Sequence, residues 1–270
     1  MYFQALEFPH TIENVIKIVP TKLRAENASV AEYLFSRSVA GTTHQDLIDS
    51  MSVITDGQVQ GRFFHFYPER HVSLLHWLSK WISRGAVPVL TLNLQKGFEW
   101  LPGQNIPDSW HHQMVFGVSN SGVFLTNPLE SVTEQVLAKQ LCSESELLVR
   151  RSDVISKWSL TCDLQTLIEV EEDERWEQFN VIGQVINVLR EEHQQPKPNL
   201  SSPNANASSS SAASPQGGST SQYSNPVQRT HVRIPASYQS GVTLFVNKSN
   251  VECYDDLFSC RDLPLLKLQS

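Results

Sequence analysis

The sequence predicts an α+β fold, N-terminal helices packed on a mostly antiparallel sheet, and three stretches carry that reading. His71 to Arg84 places Leu74, Leu75, Leu78, Trp81 and Ile82 at helical spacing, with Lys80 and Arg84 at the negative end of the dipole and Gly85 as the stop. The period then changes, and Val87-Pro88-Val89-Leu90-Thr91-Leu92 is an apolar, β-branched run of strand type. Between 110 and 128 the chain reads strand, turn, strand: Trp110 to Val118, the turn Ser119-Asn120-Ser121-Gly122, and Val123 to Asn127. These last two strands are expected to pair antiparallel, with the preceding helix nearby.

The remaining elements follow in order. Ile12 to Val19 is short and fits either a helix or a strand, and Pro20 ends it. Ala25 to Ser36 is expected to be a helix with Val30, Ala31 and Leu34 on its apolar stripe, capped by Asn27 or a residue before it. Thr42 or Thr43 caps a second helix, with Asp46 in the first turn and Leu47, Ile48 and Met51 inward. Gly61 to Tyr67 alternates like a strand until Pro68. A long loop runs from Gln95 to Trp110, and loops of that length inside a compact domain tend to serve a site. Ser131 and Glu134 form a capping box for a helix carrying Val132, Val136, Leu137 and Leu141. Glu146 to Arg150 reads as a strand, Ser152 to Trp158 as a short helix, and Glu171 to Glu192 as one long amphipathic helix.

From Gln194 to Asn225 the composition collapses into Ser, Pro, Asn, Gln and Ala, with little apolar surface to offset ordering entropy, so disorder is expected. Order returns at Thr230, where His231 to Pro235 and Gly241 to Val246 read as two strands or as one strand with a bend at the proline. The domain reading is residues 1–192 as the main domain, 193–228 as a disordered Ser/Pro/Asn-rich linker, and 229–270 as C-terminal strands. So short a tail cannot form a core of its own, so it is expected to dock back on the main sheet.

With 270 residues, 40% of them hydrophobic and 18% charged, the chain has apolar material for one sizeable core. A formal charge of −7 without a Lys/Arg-rich stripe argues against a nucleic-acid partner, and no run of apolar residues is long enough to predict a membrane span. Met1-Tyr2-Phe3-Gln4 has no basic region leading into an apolar run, and the four cysteines lack Cys-x-x-Cys spacing. A cytoplasmic location is expected, with no disulfide framework, metal site or cofactor.

Chemistry enters at the hairpin. His111 opens one strand and Asn127 closes the other, so antiparallel pairing brings their ends together. An imidazole held by a carboxamide at the end of a sheet is the base-and-orienter half of a thiol-protease site. His111 stands six residues before Gly117, Asn127-Pro128 follows at ten and eleven after it, and a helix, a glycine and Val-Pro-Val precede. On these residues the chain resembles the papain-like cysteine peptidase superfamily, closest to the bacteriocin-leader-processing (double-glycine leader) peptidases, over roughly residues 20 to 130.

The resemblance implies the order Cys, His, Asp or Asn, with the cysteine opening an early helix, and that cysteine is missing. Cys142, Cys162, Cys253 and Cys260 all follow Asn127. Laid on the family's cysteine helix, Ala25-Glu26-Asn27-Ala28-Ser29-Val30-Ala31 puts Ala25 at the nucleophile position, and nothing between Ile16 and Thr21 matches the family's oxyanion glutamine. Three accounts stay open: a degenerate site at Ala25, a cysteine helix upstream of Met1, or Ser29 as the nucleophile. The leading expectation is a pseudoenzyme, a cysteine-peptidase-like domain that does no catalysis as given and binds a peptide or protein partner, with His111 and Asn127 as vestiges. The alternatives are an active peptidase whose nucleophile lies upstream, and an intracellular scaffold acting through its disordered segment.

Overall fold

A computed structural model of the chain describes residues 12–97, 106–168, 170, 173–194 and 230–266. In chain order the strands are β1 (Val59–His65), β2 (Val87–Asn93), β3 (Trp110–Val118), β4 (Gly122–Leu125), β5 (Glu130–Thr133), β6 (Glu146–Arg150), β7 (His231–Pro235) and β8 (Gly241–Asn247). The α-helices are α1 (Ile12–Ile18), α2 (Val30–Val39), α3 (His44–Ile54), α4 (Leu74–Ser83), α5 (Glu134–Leu141), α6 (Arg151–Ser156), α7 (Arg175–Gln178), α8 (Val181–His193) and α9 (Val251–Ser259). The architecture is α+β. Six strands form one antiparallel sheet in the order β1-β8-β2-β3-β4-β5, and β6 pairs antiparallel with β7 in a second, two-stranded sheet.

Of the C-terminal strands expected on the main sheet, β8 enters it as an interior strand, whereas β7 pairs with β6 in the small sheet. β8 lies between β1 and β2, and Val242, Leu244 and Val246 are wholly buried. They join Leu78, Leu90 and Leu125 in a core beneath α4, α5 and α9. A second core, built on Val30, Leu34, Val149, Trp176, Val185 and Ile234, fills the space between α2, α8 and the small sheet. Of the expected linker at 193–228, His193 ends α8 and Gln194 is its C-cap, and residues 195–228 lie outside the described residues.

Both outer edges of the small sheet are closed by glutamine side chains. Gln95 accepts the Leu148 N–H at 2.7 Å and donates to the Leu148 carbonyl at 3.0 Å, as a neighbouring strand would. Gln184, on α8, does the same to Arg233, at 2.9 Å in each direction. An isolated strand pair is marginal in water, and capping its exposed ladder satisfies groups that would otherwise be desolvated without partners.

Several boundaries differ from the sequence expectation, each for a local reason. The helix expected over Ala25 to Ser36 begins at Val30, because Ser29 is the cap and its N–H donates to Glu32 Oε2 at 3.2 Å. The capping box expected at Ser131 is absent: Ser131 and Val132 are spent in the ladder opposite Phe124 and Val123, so α5 starts at Glu134. The long helix expected over Glu171 to Glu192 is two helices, separated at Asn180, which takes a φ of +47° and caps α8 through Gly183 at 3.1 Å. Ile12–Ile18 is a helix, and α9, capped by Asn250, was not foreseen at all. Of the two candidate caps, Thr42 and Thr43, the helix uses Thr43, which forms a box with Asp46 (2.9 and 3.1 Å).

Because β8 is interior, its loss is expected to be far more severe than the removal of a docked tail. Truncation after residue 229 is expected to abolish cooperative urea unfolding. Leu244→Ala is expected to cost ~2–5 kcal/mol by the cavity it leaves, whereas Phe258→Ala, at a site 40% exposed, is expected to cost under about 1 kcal/mol. A cooperative, near-normal transition in the truncated chain would contradict the interior placement.

Candidate functional site

A cleft of about 600 Å³ opens where β3 begins, lined by residues that include Arg24, Glu26, Trp110, His111, His112 and Tyr238. Its outer wall is the segment from Lys22 to Glu26, fixed by a two-way backbone pair between Lys22 and Gly41 (3.0 and 2.8 Å). Gly41 has a φ of +106°, and a Cβ there would collide with Tyr238 Oη. That phenol donates to the Ala40 carbonyl at 2.5 Å, and burial, reinforced by the charge of Asp46, pushes its pKa up to about 12. It is therefore a fixed donor. Its ring stacks on Trp110 with centroids 5.7 Å apart and planes 14° from parallel.

Strand alternation sends the two adjacent histidines to opposite faces of the sheet. His111 pairs with Leu92, so it shares the face of the main core; its ring hydrogen-bonds to none of the described residues. His112 pairs with Thr91 and points to the other face, where Nε2 meets the Thr42 carbonyl at 2.6 Å and Nδ1 meets Thr91 Oγ1 at 3.1 Å. A carbonyl only accepts, so Nε2 carries the proton and the Thr91 hydroxyl donates to Nδ1. Burial holds this imidazole below its ordinary range, against the opposing Thr42 bond. His44 is stacked on Phe63 at 3.7 Å, and burial, with His112 and His65 beside it, lowers its pKa to about 4. His65 is also lowered, by burial and by Arg70.

The three residues singled out in the sequence are placed as follows. A bulge between Val115 and Gly117 shifts the β3–β4 register, and the ladder ends at Val115–Leu125, so Asn127 lies past it, in the turn to β5. Asn127 is exposed with a φ of +61°; its carbonyl accepts from Gln113 Nε2 at 3.1 Å, and its side chain makes no hydrogen bond to the described residues. Ala25 lies in the loop ahead of α2, its N–H donating to Ser36 Oγ at 2.9 Å, and it is not among the cleft residues although Arg24 and Glu26 are. Ser29 lines a separate cavity with Cys162. No cysteine lines the cleft among the described residues. The sequence reading passed over His112, Arg24 and Tyr238. Strand parity alone could have flagged His112, since it shares a face with Trp110 rather than with Val115.

One edge of β3 is open beside the cleft. The Leu94 N–H reaches the Ser109 carbonyl at 2.6 Å, and the Thr126 N–H reaches the Met114 carbonyl at 3.0 Å. With the alternation of an antiparallel ladder, Ser109, His111 and Gln113 turn their backbone groups toward β2, while Trp110, His112 and Met114 turn theirs toward β4. β4 ends at Leu125, and residues 126–129 turn back into β5, so no strand continues opposite His112. The main-chain groups of Trp110 and His112 on that side therefore meet no strand among the described residues.

Two measurements check these environments. Unfolded imidazoles titrate near 6.5, and those of His44, His65 and His112 titrate lower in the fold. Below pH 6.5 the unfolded chain binds more protons, so the stabilisation is full above that value and is lost as pH falls toward about 4. Urea midpoints are expected to decline across that window, less steeply in His44→Gln; a flat profile would contradict the buried neutral rings. Among the cysteines, burial raises Cys142, Cys253 and Cys260. Burial also raises Cys162, but hydrogen bonds from Ser159 and from the Val30 amide at the start of α2 outweigh it and lower the thiol overall. Cys162 is expected to be alkylated first by iodoacetamide near pH 7, as read by peptide mass mapping.

No protein-family model matches this chain, and neither a curated protein nor a solved structure matches it.

Proposed function

We propose that the chain is a papain-like, pseudo-peptidase domain that binds an extended peptide and does not cleave it. The observation that carries this reading is the open edge of β3. Trp110 and His112 turn paired donors and acceptors toward the side on which β4 has ended, beside a cleft lined by Trp110 and Tyr238. An added strand satisfies such groups while its alternate side chains enter the cleft. Two further features support the non-catalytic half. Ala25 has no nucleophilic atom, and the described cleft residues include no thiol for His111 to activate.

One observation favours a second reading, an active peptidase whose cysteine comes from outside this sequence. His111 is among the residues lining the cleft, and its ring makes no hydrogen bond to the described residues, as a base awaiting a thiol would.

Panning a displayed library of unstructured dodecapeptides against the full chain tests both. In the free protein the amides of Trp110 and His112 are expected to exchange with deuterium well ahead of those of His111 and Gln113. Enriched peptides are expected to slow the exchange of Trp110 and His112 and to remain intact after prolonged incubation. Protection confined to other segments would refute the edge as the binding surface, and hydrolysis would refute the non-catalytic reading.

A further inference from the structure

A second, smaller cavity of about 240 Å³ adjoins the cleft, and Arg24, Glu26 and Asp108 line both. Four cationic side chains face it, from Arg24, Arg37, Arg150 and Lys157, against three carboxylates, from Glu26, Asp108 and Asp153. The carboxylates are already engaged. Asp108 is shared between Arg24 at 2.8 Å and Arg37 at 3.4 Å; burial pushes its pKa up, but the two guanidinium groups outweigh that and hold it below the usual range. Asp153 accepts from Tyr33 Oη at 3.3 Å, and Glu26 lies 3.7 Å from Lys157 Nζ. Arg150 donates to the Ile106 carbonyl at 2.6 Å and has no carboxylate partner among the described residues. The Arg37 side chain is only 9% exposed, and its Nε–H is buried without a partner among them. The cavity is thus short of one anion.

Direction decides which anion. A peptide added at the open edge, lying where β4 leaves off, runs antiparallel to β3. Its chain then heads toward the residues that precede β3, and Ile106, Pro107 and Asp108 form the wall of the small cavity. From His112 to Asp108 is four residues, about 13 Å of extended chain. We infer that the bound peptide ends there, and that its C-terminal carboxylate is held by Arg150, Arg37 and Arg24. This rests on the edge-binding reading above. A parallel peptide would instead bring its N-terminal ammonium into a cationic cavity, which repulsion disfavours. Planar guanidinium groups suit a carboxylate, and the surplus charge persists at every physiological pH.

The test uses the full chain and two levels of probe. N-acetylglycine, which carries a free α-carboxylate, is expected to bind saturably and to shift the Arg37 Nε–H resonance, whereas N-acetylglycinamide is expected to leave it in place. Peptides enriched by panning, resynthesised as free acids and as C-terminal amides, are expected to differ by at least about tenfold in affinity, the range of one lost charge-assisted hydrogen bond. Arg150→Gln is expected to lower the affinity of the acid peptides to that of the amides and so erase the difference. Equal affinities for acid and amide peptides would overturn the inference and leave the edge reading standing. N-acetylglycine binding without any edge-bound peptide would overturn it together with the edge reading. Inorganic phosphate binding more tightly than N-acetylglycine would reassign the cavity to phosphoryl ligands.

Discussion

The side-chain amide of Gln95 is the interaction on which the arrangement of the two sheets depends. It stands two residues beyond β2, its N–H bound to Asn93 Oδ1 at 3.0 Å, so its origin is fixed on the main sheet. Its side chain pairs both backbone groups of Leu148 in β6, and Nε2 also reaches the Pro107 carbonyl at 3.0 Å. A single residue thereby ties the end of β2, the lead-in to β3 and the edge of the small sheet. The cleft and its adjoining cavity both lie along that seam. Replacing Gln95 by an apolar residue would remove both partners of the half-buried Leu148 N–H and C=O, at a cost of up to about 1–3 kcal/mol for each group that water does not reach.

The same seam carries a buried carboxylate. Glu146 is 4% exposed, and it is paired with Lys96 at 2.5 Å and with Arg233. Asn93 Nδ2 donates to the Glu146 carbonyl at 3.1 Å and to Ser143 Oγ at 2.9 Å. A carboxylate removed from water stabilises little on balance even when paired, but losing its half-exposed cationic partners would strand it. Such a junction selects one arrangement: a sheet displaced by a residue along its axis would leave Glu146, Asn93 and Gln95 all without partners. Apolar packing between the two cores tolerates sliding far better than this cluster does.

What the sequence made legible was local. The Trp110 to Asn127 hairpin was readable because turn chemistry and β formers alternate within a few residues, and α4 was readable because five apolar side chains repeat at helical spacing. β8 was readable as a strand but not as an interior one, since its neighbours are residues 59–65 and 87–91, far away in the chain. The break at Asn180 hides inside an unbroken apolar stripe, because a positive φ leaves no mark on periodicity. The candidate site was half legible for the same reason. His111 and Asn127 sit within one hairpin, whereas Arg24, Arg37, Arg150 and Lys157 come from separate elements and meet only after folding.

The charge distribution sets a constraint on any ligand of this seam. The chain carries −7 overall, so an acidic ligand meets a repulsive field at long range and an attractive one only inside the cavity. At physiological ionic strength the field of the whole surface is screened within about 8 Å, while contacts inside a small, partly enclosed cavity are screened far less. Recognition of an anion here must therefore come from short contacts rather than from steering, and modest added salt should weaken the repulsion more than the attraction. That is the reverse of what a basic surface patch would do. It is the behaviour expected where a few fixed guanidinium groups, held by Asp108 and the Ile106 carbonyl, face an otherwise acidic protein.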